Sequence, residues 1–111
     1  MVNEILTATG IKHAHGRFLR LPETTCAVYF DNVEISAADR VTPPTPAGVP
    51  RICTHHITVE LYEPAPDDPS EAKLEAALDA QGLEWTKEDR YWLPDVQRYQ
   101  VLYEFSYIIK K

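Results

Sequence analysis

The run Tyr99-Gln100-Val101-Leu102-Tyr103-Glu104-Phe105-Ser106-Tyr107-Ile108-Ile109 is the strongest constraint on what this chain can fold into. One parity, Tyr99, Val101, Tyr103, Phe105, Tyr107 and Ile109, is wholly apolar or aromatic. The other mixes Gln100, Glu104 and Ser106 with Leu102 and Ile108. A period of two in β-branched and aromatic residues is the pattern of a strand that buries one face. At about 3.3 Å per residue such a strand runs roughly 36 Å. A compact domain of this length has a radius of gyration of about 13 Å, hence a diameter of roughly 34 Å. The strand therefore crosses the whole domain, curls, or projects toward a neighbour, and that surplus length points to an assembly protein.

At 111 residues the chain has room for one domain, residues 1–111, with one modest core. The opening Met1-Val2-Asn3-Glu4 lacks a basic region followed by an apolar one, so no secretory leader is expected. No apolar stretch approaches the length of a bilayer span, and no membrane partner is expected. Cys26 and Cys53 are too few for a disulfide framework and read as reduced, buried small residues of a cytosolic protein. The net charge of −6 is concentrated in the second half, where Glu60, Glu63, Asp67, Asp68, Glu71, Glu75 and Asp79 are relieved only by Lys73. Phosphate backbones repel such a surface, which disfavours sequence-specific nucleic-acid binding.

Along the chain, residues 3–9 read as a short helix capped by Asn3 and stopped by Gly10, and residues 11–15 as a brief strand. Residues 26–30 read as a strand closed by an Asp31-Asn32 turn, and residues 33–39 are ambiguous. Pro43, Pro44, Pro46 and Pro50 then deny residues 41–50 most of their backbone donors, so this segment is an exposed loop. It is either a plain connection or an arm that touches a partner. Residues 51–62 form a second long strand, with Cys53, His55, Ile57, Val59 and Leu61 on one face. Asp68 caps a helix that runs to Gln81, with Leu74, Ala77 and Leu78 inward and Gly82 just past its end. Residues 83–87 and 90–93 read as two short strands around a Glu88-Asp89 turn, in an antiparallel meander that Pro94-Asp95 joins to the terminal strand. The expected fold is α+β: a largely antiparallel or mixed sheet of four to five strands with two helices packed on one face.

The residues that could carry chemistry do not group. His55 and His56 are adjacent and point to opposite faces of a strand, so they cannot grip one ion. Cys53 and His55 share a face, but a zinc site would also need Cys26 and His13 or His15, without any paired ligand spacing. A Cys53/His55 hydrolase with a nearby acid is the enzymatic alternative. No glycine-rich phosphate loop exists. No catalytic, metal or cofactor site is expected. Glu71, Glu75 and Asp79 recur every four residues, a stripe of like charge that is either a solvated face or a contact for bases on another copy. Lys87, Arg90, Arg98 and Arg51 are the candidate opposing charges. Trp85, Tyr91 and Trp92, with Arg90 beside them, form either a hydrophobic plug at the end of the sheet or an interface anchor. The candidate interface set is Arg40, Pro43, Pro44, Pro46, Pro50, Glu71, Glu75, Asp79, Arg90, Tyr91, Trp92, Ile108 and Ile109.

The order of these features resembles a known family. A strand ending Val59-Glu60-Leu61-Tyr62, an acidic proline-containing loop and the helix start Asp68-Pro69-Ser70-Glu71 are followed by Gly82, Trp85, Tyr91-Trp92 and Tyr99-Gln100-Val101-Leu102-Tyr103-Glu104-Phe105. This is similar to small tail terminator and head–tail joining proteins of tailed bacteriophages and prophages. The likeness covers the second half well and the first loosely, through the short helix, Thr9-Gly10 and Ala37-Ala38-Asp39-Arg40-Val41. The resemblance implies a structural subunit of the virion neck, assembled in the bacterial cytoplasm as a ring, commonly a hexamer. Such a ring caps the tail tube and joins it to head-connector proteins. A cyclic interface needs two different complementary patches per subunit, which suits surplus strand length. An acidic character suits a channel through which DNA passes without adhering. The remaining alternative is a monomeric adaptor that binds one partner through the proline-rich loop.

Overall fold

The computed structural model describes residues 1–18, 20–35 and 52–110. The proline-rich loop, Arg40 and Arg51 lie outside the described residues. In chain order the elements are α1 (Val2–Thr9), β1 (Lys12–His15), β2 (Cys26–Ile35), β3 (Ile52–Glu63), α2 (Asp68–Ala80), β4 (Trp85–Lys87), β5 (Tyr91–Leu93) and β6 (Arg98–Lys110). The fold is α+β, with two helices and one mixed sheet of six strands. The strand order is β1-β2-β3-β6-β4, and β5 also pairs with β6. Only β1 and β2 run parallel; every other pair is antiparallel.

Both helices lie on the face built from the odd-numbered strand residues. Val2, Ile5 and Leu6 of α1 and Leu74 and Leu78 of α2 close over Ala27, Ile57, Val59, Leu61, Val101, Tyr103 and Phe105. The buried parity of β6 is thus the apolar parity of its sequence. At the end of α2, Gly82 adopts φ 69° and donates its N–H to Asp79, while Leu83 N–H reaches back to Leu78. These are the two hydrogen bonds of a Schellman stop. Leu83 packs against the core there. Gly10 ends α1 in the same left-handed region, at φ 75°.

Four expectations change in detail. Asn3 does not cap α1, which begins at Val2 after Met1; its side-chain oxygen instead lies 2.8 Å from His13 Nε2. The cap of α2 is Asp67 rather than Asp68: its carboxylate accepts from Ser70 N–H at 3.1 Å and Ser70 Oγ at 2.7 Å. The Asp31-Asn32 turn does not form. β2 continues through it to Ile35 because the long β3 offers a partner at every position, Asp31 facing Ile57 and Asn32 facing His56. Tertiary pairing overrides a local turn preference here.

The fourth change concerns β4 and β5, which do not form a hairpin with each other. Both run antiparallel to β6, end to end along its outer edge. Lys87 faces Tyr103 and Tyr91 faces Gln100, so the edge strand holds three residues, Glu88, Asp89 and Arg90, opposite two on β6. This one-residue excess is a bulge, bridged by Glu88 N–H to Leu102 C=O at 2.9 Å. Without it, Lys87 and Arg90 would point to opposite faces. With it, both project to the helix side.

The sheet is longer than the helices that cover it. The molecule measures 53 × 29 × 22 Å, with a radius of gyration of 16.6 Å. A compact chain of this length would have about 13 Å. Past Tyr29 on β2 and Phe105 on β6, strands β2, β3 and β6 continue as a three-stranded ribbon.

Candidate functional site

Two regions bring candidate residues together. The first lies where α2 meets the bulged edge. Arg90 binds Glu63 at 3.1 Å, Asp68 at 2.6 Å and Glu71; Lys87 binds Glu71 at 2.8 Å and Glu75 at 2.9 Å. Tyr103 donates its hydroxyl to Glu75 at 2.8 Å from within the core. Glu63 is 0% exposed and Glu71 3%. The exposed acidic stripe expected of α2 is therefore corrected at Glu71, which is buried, and Glu75 is partly so; Asp79 alone is exposed, and it accepts from Trp85 Nε1 at 2.8 Å. The bases facing this stripe come from the same chain, because the bulge aims them inward.

The electrostatics of this cluster push its two buried acids in opposite directions. Burial, followed by the neighbouring Glu71 carboxylate, pushes Glu63 up to about 7. Its Oε2 is buried and finds no donor. A proton held by Glu63 relieves its repulsion with Glu71, as two acids crowded together require. Burial also works against the Glu71 charge, but Glu63, Lys87 and Arg90 outweigh it and hold Glu71 below its ordinary value. Burial and then Glu75 push the Tyr103 hydroxyl far up, so it stays a donor. Every acid of the cluster is paired within the chain, and all but the exposed Asp68 are at least partly shielded from water.

Tyr91 and Trp92 sit beside this network and are each 45% exposed. Trp92 meets Tyr99 edge-on, with ring centres 4.9 Å apart. Tyr91 starts a chain on the opposite face: its hydroxyl donates to Gln100, whose amide donates to Tyr62 Oη at 3.0 Å, and Tyr62 donates to Glu60 at 3.0 Å. Burial and Glu60 push Tyr62 up to about 12.

The second region is the ribbon end. Its helix-side face carries His55, whose Nδ1 lies 2.9 Å from both oxygens of Asp31 and whose ring stacks on Tyr107 at 4.8 Å. The acid that a Cys53/His55 hydrolase would need is thus present, but Cys53 is buried and forms no hydrogen bond with His55 among the described residues. Cys26 lies on the other face of the sheet at the far end, so the residues considered for zinc do not converge. Among the described residues no three His, Cys, Asp or Glu side chains group as a metal site requires.

The opposite face shows an arrangement that sequence reading missed. His56 Nδ1 lies 3.0 Å from Ser106 Oγ and its Nε2 2.9 Å from Glu34, beside a groove of about 630 Å³. The pattern is invisible in sequence, because it is made by strand register: Asn32, His56 and Ser106 share one level. Glu34 and His56 are both largely exposed. Water therefore reaches both side chains and weakens the interaction between them.

What distinguishes the ribbon end is its edges. Glu88 bonds to Leu102 C=O from the outer side, which fixes the even residues of β6 as those whose N–H and C=O face outward. Gly16 bonds to Tyr29 C=O, so the odd residues of β2 face outward on the other side. β4 and β5 cover β6 up to Phe105, and β1 covers β2 up to Tyr29. Beyond those points neither edge has a strand partner among the described residues. The same stretch exposes Ile108 at 64%, Val33 at 55%, Phe30 at 43% and Ile109 at 36%. Ile108 and Ile109 of the candidate interface therefore lie in the open, while the partners of Glu71, Glu75 and Arg90 are internal. No protein-family model matches the chain, and no curated protein matches its sequence.

Proposed function

We propose that this chain is a non-enzymatic assembly subunit that builds a ring, and that the ring is the tail terminator or head–tail joint of a bacteriophage or prophage virion. The observation that carries the assembly reading is the pair of edges, on opposite sides of one ribbon, that have no strand partner among the described residues. An unprotected edge is a template for another strand, which monomeric proteins normally blunt. Two different edges on one subunit suit a head-to-tail contact that closes into a ring. The finer assignment to the phage neck draws its support from the order of sequence motifs in the second half of the chain.

In this reading the sheet face away from the helices lines the channel. Glu34, Glu60, Glu84 and Glu104 lie on or beside that face, where their charge keeps DNA from adhering. The partners are further copies of the chain, the tail tube and the head connector.

Mass photometry of the purified protein, alone and with purified tail tubes, tests the proposal. Rings, free or at tube ends, are the expected result. A monomer that also fails to bind tubes would overturn it, as would a gene lying outside any capsid-to-tail cluster.

A further inference from the structure

We infer that the outer edge of β6 over residues 106–110 pairs in parallel with the outer edge of β2 over residues 31–35 of a second copy. This deepens the assembly reading and rests on it, but it fixes which strands meet, in which direction and with which faces aligned.

Direction follows from topology. β2 and β6 are both antiparallel to β3, so they run the same way. A copy rotated about an axis lying along the strands brings its β2 beside β6 in parallel, with the helix faces on the same side. Parity selects this arrangement too. In a parallel ladder, a residue bonds to the two that flank its opposite number, so the bonding residues of the two strands project to opposite faces. The outward residues of β6 are even and project away from the helices; those of β2 are odd and project toward them. An antiparallel contact between the same edges would require one copy to be turned over, placing its helices against the channel face.

Level and charge agree. Val33, His55 and Tyr107 share one level of the sheet, so the two edge stretches stand at nearly the same height. A two-residue offset keeps the parity and sets Ile109 beside Val33 and position 110 beside Glu34. The β2 edge carries Asp31 and Glu34, whereas β6 runs into Lys110-Lys111. Pairing β2 with another β2 would bring acids together.

Two single-cysteine variants decide the matter. Asn32→Cys and Ile108→Cys are purified separately, then treated with a short bismaleimide alone and as a mixture. The native Cys26 and Cys53 are buried, and unmodified protein is the blank. Covalent dimer in the mixture, and little in either variant alone, is the expected result. Cross-linking of Ile108→Cys by itself would show a two-fold contact and overturn the inference. Failure to cross-link in any sample would overturn it as well, while leaving ring formation on tail tubes to be judged separately.

Ile108→Pro supplies a second measurement. The Ile108 N–H points outward, so proline there removes no bond to β3, and self-association should fall at least tenfold with the thermal midpoint nearly unchanged. Should Ile108→Pro lower that midpoint, Val33→Pro blocks the other edge by the same logic. Oligomers that persist in the variant that keeps its midpoint would refute the edge pairing.

Discussion

Leu61, Val101 and Leu78 are fully buried where β3 and β6 pass beneath the helices, whereas Val33 and Ile108 stand more than half exposed near the other end of the same sheet. The contrast has a geometric origin. The 13 residues of α2 rise roughly 20 Å, at 1.5 Å each. The 13 residues of β6 extend roughly 43 Å, at 3.3 Å each. A helix cannot cover a strand of equal residue count, and α1 is shorter still. The covered end is held by apolar burial and an internal ion network. The other end is held mainly by its ladder, and its apolar side chains stand exposed among the described residues.

The sharpest test of that contrast is a cavity at the covered end. Leu78→Ala should destabilise the monomer by about 2–5 kcal/mol in urea unfolding, since Leu78 is fully enclosed. Arg90→Ala comes next, at about 2–4 kcal/mol near neutral pH, because it strands the buried Glu63 without its cation and leaves Glu71 with Lys87 alone.

Glu63→Gln probes the raised proton affinity of Glu63. Folding raises Glu63 from 4.5 to about 7, so the native state binds a proton that the unfolded chain has released. That contribution is intact below pH 4.5 and is lost as pH rises toward 7. Glutamine has nothing to ionise, so the stability of the variant relative to the parent should improve across this window by roughly 1–3 kcal/mol. Asp67 and Glu71 act oppositely: held below their ordinary values, they stabilise the fold fully above those values and lose that contribution as pH falls below them. Comparing the two proteins at each pH cancels the Asp67 contribution but not that of Glu71, which Glu63 helps to set, and a difference independent of pH would refute the raised proton affinity of Glu63. The smallest effect belongs to the exposed end. Ile108→Ala should shift monomer stability by no more than about 0.5 kcal/mol.

Local signals were legible wherever the physics is local. Gly10 and Gly82 marked both helix ends, because a left-handed residue stops a helix whatever surrounds it. The α2 cap was displaced by one residue: Asp67 and Asp68 are both acids before a proline, and only the path of the chain, with Thr25 bonding Asp67, selects between them. The expected hairpin of residues 83–93 failed for a longer-range reason. Glu88-Asp89 resembles a turn in isolation, yet a bulge is defined by the strand it opposes. The inward aim of Lys87 and Arg90, and with it the burial of Glu71, could not be read without β6.

By itself, the sequence determined the long alternating strands, their buried parity, the two helices and the α+β class, because the two-residue period and the helix stops arise from bonds a few residues apart. Tertiary structure alone decided which acids are paired within the chain, which histidine meets which carboxylate, and how far the helices reach along the sheet. Those outcomes depend on strand register and on the unequal rise of helix and strand, which act between residues far apart in the chain.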